Sequence, residues 1–433
     1  MHTRSGKRQK LFIIPTTRSQ AKADSTVVRL QSHLRKVCET HECETKNPGI
    51  APLLEAKVTF EPLLLDLNSI LGVRKAAKEL EENLAERGGK LDVLIANAGI
   101  GGWTGVDWLG VVKQFVTEGP LATLSRPKFK MSSVGTVTAR QIPQCQDGHM
   151  ESKLLANSIA NGKTVKEEES PLGEVFCANV FGHYLLGHWL SPALTRAASV
   201  NGERGRMIWV STLEAYAHAL NFNDLQGLAT PISYESSKRL TDLLALTSDL
   251  PSTQPYVESY FSTAPSSATP NTHDPSTRPK IYVSHPGICV TTIMPLHPII
   301  VALQAILFYI ARFFGSYWHT STAWSGATAP VWLSLASSSM LDEIEENEGK
   351  GKWGSMVNAW GEERAVRTEV AGWGFGGRIG EIRPKVGRWD LWVNDEESLK
   401  EFELLGRESW ARLEGLRTEW EGRIKRADVE EMD

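Results

Sequence analysis

The sequence predicts a doubly wound α/β fold, a parallel sheet covered by helices on both faces. Three observations predict it. Short apolar runs rich in Val, Ile and Leu recur without the polar alternation of a half-exposed sheet. Amphipathic stretches of helical length separate them. Small and turn-forming residues follow several of the runs, at the strand ends where such sheets bind ligands.

The elements follow in order. Residues 1–10 are a basic tail carrying Arg4, Lys7, Arg8 and Lys10. Leu11–Ile14, closed by Pro15, reads as a buried strand, and Ala21–Cys38 as the helix after it. Residues 63–67 are a second strand. Over 69–87, Ile70, Val73, Ala77, Leu80 and Leu84 share one helical face, and Gly88-Gly89 closes that helix. Leu91–Ala96 is a third strand, turned by Asn97-Ala98-Gly99. A helix over 173–198, a strand over 207–211, a helix over 234–248 and a strand over 281–285 continue the alternation, with right-handed crossovers. This body runs from 11 to about 340. Two polar stretches, 136–170 and 250–280, read as surface insertions. Residues 341–433 read as an acidic C-terminal extension. In it Leu399, Phe402, Trp410, Leu413, Leu416, Trp420 and Ile424 have near-helical spacing, which predicts a helix docked on the body; Gly406, Gly415 and Gly422 argue against a coiled coil.

Composition narrows the function. At 433 residues, 41% hydrophobic and 23% charged, the chain has ample material for a large core and is neither disordered nor polytopic. Mean hydropathy is -0.24. Lys and Arg number 47 against 51 Asp and Glu, a net charge of -4, so a global electrostatic grip on nucleic acid is not indicated. Five cysteines without disulfide spacing favour a reducing interior.

Chemistry concentrates in a few places. Tyr234-Glu-Ser-Ser-Lys238 opens a helix and puts a phenol and an ammonium on one face. A nearby cation stabilises phenolate, so the pair can protonate an alkoxide that develops as hydride reaches a carbonyl. Ser211-Thr212 ends an apolar strand, where a hydroxyl can hold the carbonyl against the phenol. Asn97-Ala98-Gly99 turns at another strand end. Asn179 lies mid-helix, where Asn is a poor choice without a side-chain partner. Pro286-Gly287-Ile288, with Thr291 beyond it, makes a second tight turn on the same sheet edge.

In that order these motifs resemble the short-chain dehydrogenase/reductase family over about 11–295. Gly105-Val-Asp-Trp-Leu-Gly110, Ala178-Asn-Val-Phe-Gly182, Tyr234-Glu-Ser-Ser-Lys-Arg-Leu240 and Ala311-Arg-Phe-Phe-Gly-Ser-Tyr-Trp-His319 are similar to the fungal 3-ketosteroid reductases of sterol C-4 demethylation. The resemblance implies NADP(H) as cofactor and reduction of a 3-keto sterol to the 3β-alcohol. Tyr234 would donate the proton, Lys238 would lower its pKa and hold the nicotinamide ribose, and Asn179 would support a water relay. Thr212, with Ser211 as fallback, would take the family's serine role. Asp66 would contact adenine, and Arg18 and Ser19 would read the 2′-phosphate. Asn97, Ala98, Gly99, Pro286, Gly287, Ile288 and Thr291 would line the cofactor. The family opens with a strand and a glycine-rich loop that cradles pyrophosphate. Leu11–Ser19 is similar to the family's second strand, so that first unit is missing from the chain as read. A catalytically silent scaffold and a truncated reductase are the alternatives. Partners implied are the sterol and the C-4 demethylase components, at the cytosolic face of the endoplasmic reticulum or of lipid droplets.

Two further signals remain. Cys38-x-x-His41-x-Cys43 has metal-like residue types without a fourth ligand at plausible spacing, and His183 and His188 do not share a helical face well. Within the substrate-side segment 291–319, residues 298–311 are strongly apolar yet too short to span a bilayer. They read either as a buried helix over the pocket or as a patch that dips into a membrane.

Overall fold

A computed structural model describes residues 10–142, 171–262, 277–291, 293–294, 296–379 and 395–430. Its centre is a five-stranded sheet in the order Glu363–Thr368, Lys352–Val357, Lys280–His285, Arg206–Val210, Val93–Ala96. The last four are mutually parallel, and Glu363–Thr368 closes one side as an antiparallel hairpin partner of Lys352–Val357. Strand Arg206–Val210 is buried throughout and Lys280–His285 nearly so, which explains their unalternated apolar runs. Even Arg206 is buried, its guanidinium donating to the Leu333 carbonyl at 2.6 Å.

Helices cover both faces. Ile70–Ala85 is capped by Ser69, whose hydroxyl accepts from Gly72 N–H, and buries Ile70, Val73, Ala77, Leu80 and Leu84. Ser233–Thr247 is buried at every position except Tyr234, which is partly exposed. The long C-terminal helix Glu396–Glu430 lies against it. Phe402, Trp410, Leu413, Trp420 and Ile424 are buried there, and the Trp410 indole donates to the Leu244 carbonyl. Gly406 is needed at this crossing, because a Cβ would sit 2.4 Å from Thr247 Cγ2.

Five expectations change. The sheet does not stop at 340. Lys352–Val357 pairs with Lys280–His285, so a boundary at 340/341 falls inside the domain's own sheet. Buried Lys352, Gly354 and Ser355 had hidden that strand from a hydrophobicity reading. The polar stretch 250–280 contains the helix Gln254–Phe261, whose Val257 and Tyr260 belong to the core; 263–276 lies outside the described residues, as does 143–170 of the other insertion. The single helix expected over 173–198 is three pieces, with a π-helical turn at Cys177–Phe181 and a break at Leu190 before Ser191–Asn201. The strand expected at 63–67 is shorter, Leu63–Leu64, and is preceded by Val58–Phe60.

The fifth change concerns Leu11–Ile13, which is exposed rather than buried, Leu11 by 53%. It pairs in parallel with Val58–Phe60, and Thr16–Thr17 pairs with Leu63–Leu64. Neither pair joins the main sheet, which ends at Val93–Ala96 with Ile95 41% exposed. Among the described residues no strand bridges the two.

Candidate active site

Helix Ser233–Thr247 begins at the carboxyl end of the sheet and presents Tyr234 and Lys238 one turn apart. The Tyr234 ring tilts against Trp103 at 4.9 Å between centroids. Burial pushes the phenol pKa up, and the Glu214 carboxylate adds to the rise; the neighbouring Thr212 side chain opposes it. Lys238 was expected to do the lowering. Its ammonium donates to the Val210 carbonyl at 2.7 Å and lies 5.8 Å from the Tyr234 ring centroid. Burial lowers the Lys238 pKa to about 8, with Asp242 opposing and Lys352 adding to the fall. Near neutrality the ammonium is therefore still charged, but only by a small margin.

Ser211 and Thr212 leave the neighbouring strand directly beneath this helix. Ser211 is buried, and its hydroxyl is 3.4 Å from the Lys238 carbonyl. Thr212 is partly exposed and, through its contact with Tyr234, is the hydroxyl placed at the phenol. A residue absent from the sequence reading holds both. Buried Lys352 donates to the Thr212 carbonyl at 2.6 Å, to Asp242 Oδ2 at 2.7 Å and to Ser211 Oγ at 3.2 Å. Asp242 lies one turn beyond Lys238, so Lys238, Asp242 and Lys352 form a cation–anion–cation row behind the site. The Tyr234…Lys238…Asp242 spacing of four was the available signal for Asp242. Nothing local marked Lys352, which arrives on a strand more than a hundred residues later.

A second buried group was also missed. Lys130 contacts the Glu235 carboxylate and donates to Glu214 at 2.9 Å, while its ammonium sits 4.7 Å above the Trp103 ring. Trp103–Val106 and Lys130–Ser132 form an antiparallel pair that lays Trp103 and Lys130 against Tyr234. The carboxylates hold the Lys130 pKa up despite burial.

Asn179 holds a loop beside the site. Within the π-helical turn its carboxamide accepts from Ile100 N–H at 2.8 Å and donates to the Ile100 carbonyl at 2.9 Å and Ser237 Oγ at 3.0 Å. It pins the loop after Asn97-Ala98-Gly99. Those three residues are exposed, and a Cβ on Gly99 would lie 2.7 Å from Asn179 Oδ1 and 3.9 Å from Lys238 Nζ. His183 is buried and bonds the Ala98 carbonyl at 2.8 Å; burial lowers its pKa to about 4. On the next strand, Gly287 adopts φ +72° where a Cβ would be 2.5 Å from the Trp318 carbonyl. Ile288 N–H donates to that same carbonyl, and Thr291 is exposed just beyond.

The structure thus assembles Tyr234, Lys238, Ser211, Thr212, Asn179 and Gly99 in one contact network, with Pro286-Gly287 on the same sheet edge. It does not bring Arg18, Ser19 and Asp66 into that network. All three are exposed, on or beside the separate two-stranded pairs. Ser19 precedes helix Gln20–Thr45 without a side-chain cap, and Asp66 accepts from Asn68 N–H. Cys38 is buried and Cys43 exposed, and no cluster able to hold a metal occurs among the described residues.

Comparison with known proteins bears on this site. No family model matches the chain. A 3-keto-steroid reductase of Aspergillus fumigatus is 39% identical over 98% of this chain and 89% of its own length. One from Gibberella zeae is 34% identical over 96% and 88%. Among solved structures, an NADPH-bound carbonyl reductase from chicken fatty liver covers 83% of this chain and 88% of its own at TM-score 0.35 and 15% identity, too loose a match to carry an argument. The near-full-length relatives decide the matter: the chain belongs to the 3-keto-steroid reductases, a family of oxidoreductases.

Proposed function

We propose that the chain reduces a 3-keto sterol to its 3β-hydroxy product with NADPH, as a step of sterol C-4 demethylation. The observation that carries this reading is Thr212 at the Tyr234 phenol, with Lys238 one turn behind, in a chain 39% identical to a 3-keto-steroid reductase.

The residues fit the cofactor on its nicotinamide side. The Gly99 backbone packs so closely on the Asn179 carboxamide that a side chain there would clash, and it borders the Lys238 ammonium, which would receive the ribose hydroxyls. On the pyrophosphate side the fit stops, because the described residues include no glycine-rich turn at a helix start between Val93–Ala96 and Leu11–Ile13. When bound, the cofactor supplies hydride to the ketone carbon. The chain's own residues do the rest. The Thr212 hydroxyl orients the carbonyl oxygen at the Tyr234 phenol. Tyr234 gives its proton to that oxygen as negative charge develops there. Raised by burial, the phenol stays protonated until a base of alkoxide strength appears. The Lys238 ammonium favours the resulting phenolate. Lys352 keeps the Ser211–Thr212 turn in register, and Trp103 walls one side of Tyr234 from water.

Arg18 and Ser19 are proposed to read the 2′-phosphate and Asp66 the adenine, once the strand pairs are drawn toward the main sheet. The C-4 demethylase components are the proposed partners, and the cytosolic face of the endoplasmic reticulum or lipid droplets the proposed location. No helix among the described residues is long and apolar enough to cross a membrane, so attachment through the 298–311 region would be peripheral. A scaffold reading draws support from the unfilled pyrophosphate side.

The test is NADPH consumption by the purified full chain with a detergent-dispersed 3-keto sterol, alongside calorimetric titration with NADPH. Turnover with formation of the 3β-alcohol supports the reductase. Failure to bind NADPH, with retention of a C-4 demethylase component in pull-down, supports the scaffold.

A further inference from the structure

Helix Trp108–Ser125 is built inside out. The two side chains it buries are polar, Gln114 and Thr123. Both are satisfied internally: Gln114 donates to the Arg126 carbonyl at 2.9 Å and accepts from Lys128 N–H at 3.0 Å, and Thr123 donates to the Gly119 carbonyl at 2.8 Å. Its apolar residues face outward, Leu109 83% and Val116 77% exposed, with Val112 between them on the same face. Helix Pro298–Phe313 repeats the pattern in part. It tucks Phe308 and Ala311 inward, yet Ile299, Ile306 and Phe313 project outward, Phe313 by 73%. The two helices touch, and the His319 ring packs 5.0 Å from that of Phe308 on the second of them.

We propose that the outward faces of these two helices form one docking surface that seats in the interfacial layer of a phospholipid bilayer, with Trp108–Ser125 an equal partner in it. Membrane attachment through 298–311 alone is part of the functional reading above, which this inference deepens. Charge selects the bilayer over a protein partner. Between residues 286 and 341 the only Lys, Arg, Asp or Glu is Arg312, and Trp108–Ser125 carries just Lys113 and Glu118. A protein interface needs a polar rim to set register, whereas hydrocarbon needs none. Exposed Trp108, Tyr309 and Tyr317 suit the headgroup boundary. The surface also adjoins the site. Trp108–Ser125 connects the strands that lay Trp103 and Lys130 on Tyr234, and Pro298–Phe313 leads into Trp318 beside Gly287. A lipid-borne ketone would thus meet the site where the protein meets the bilayer.

The test is flotation of the full chain with phosphatidylcholine vesicles in high salt. Wild type should float. Leu109→Ser/Val116→Ser and Ile306→Ser/Phe313→Ser should each lower the floated fraction roughly tenfold or more, with circular dichroism and Tm unchanged. Should a double variant melt early, Val112→Cys carrying an environment-sensitive dye decides: its emission should shift to the blue when vesicles are added, against a labelled wild-type control. Wild-type flotation by Leu109→Ser/Val116→Ser, or no shift at 112, overturns the two-helix surface. Wild type that stays at the bottom and elutes as a dimer overturns it in favour of a second copy. Reduction of detergent-dispersed ketone is read in parallel, so loss of the reductase reading shows as flotation without turnover in wild type.

Discussion

The two halves of the site are built differently. The proton-transfer half hangs on buried strands and a buried helix, and each side chain in it is held by another: Thr212 and Ser211 by Lys352, Lys352 by Asp242, the Gly99 loop by Asn179, Ala98 by His183. The half proposed for the dinucleotide, Arg18, Ser19 and Asp66, stands on exposed two-stranded pairs outside the main sheet. The first half is preorganised and the second is not. Geometry needed in a transition state has to be fixed before the substrate arrives. A phosphate contact tolerates more play and can be completed on binding.

That contrast can be broken most sharply at Tyr234. Tyr234→Phe removes one oxygen and should lower ketone reduction by about 10²–10⁴-fold while leaving Tm within a degree or two. Near-normal turnover would show that the proton comes from elsewhere.

Lys352 tests whether the buried half is a single unit. Lys352→Met leaves buried Asp242 without its hydrogen-bonded cation, which should cost about 3 kcal/mol by denaturant unfolding. Lys352→Met with Asp242→Leu should regain most of that stability. If Lys352 positions Thr212, the double variant still has depressed turnover; if it is merely structural, turnover returns with stability.

In the open half, Arg18→Ala should change stability by less than about 0.5 kcal/mol. It should raise the KM for NADPH roughly tenfold and leave NADH almost unaffected, as expected for loss of one charge-assisted contact to a phosphate. Equal effects on both cofactors would remove Arg18 from the site.

Acid sharpens the comparison least in size but distinctly in sign. His183 is lowered from its usual 6.5 to about 4 by burial, and His319 likewise. Below 6.5 the unfolded chain takes up protons that the folded chain refuses, so stability falls as pH drops from 6.5 to about 4 and levels off below that for these two groups. His183→Gln should flatten part of this slope. Turnover, by contrast, should decline above about pH 8 as Lys238 loses its charge.

Much of the buried half was legible in the sequence. The spacing of Tyr234 and Lys238, the turn Asn97-Ala98-Gly99 and the hydroxyls at 211–212 each follow a strand or open a helix, and such patterns are local. The helical face Ile70, Val73, Ala77, Leu80 and Leu84 and the stripe from Phe402 to Ile424 were readable for the same reason: burial of one side imposes a period. What escaped was non-local or contrary to pattern. Lys352 reads as a surface lysine until the sheet places it beneath Thr212. The helix Trp108–Ser125 buries Gln114 and Thr123 and exposes Leu109 and Val116, so its composition suggests a core that does not exist.

By itself the sequence determined the alternating α/β class of the central body and the family, because these rest on short-range periodicity and on spacings of a few residues. Only the tertiary structure decided which groups share a field. Burial raised the Tyr234 phenol and lowered Lys238, Asn179 turned inward to hold a loop, and Leu11–Ile13 was left exposed outside the main sheet. Desolvation and Coulomb energies depend on distance in space and on access of water, and neither is set by distance along the chain.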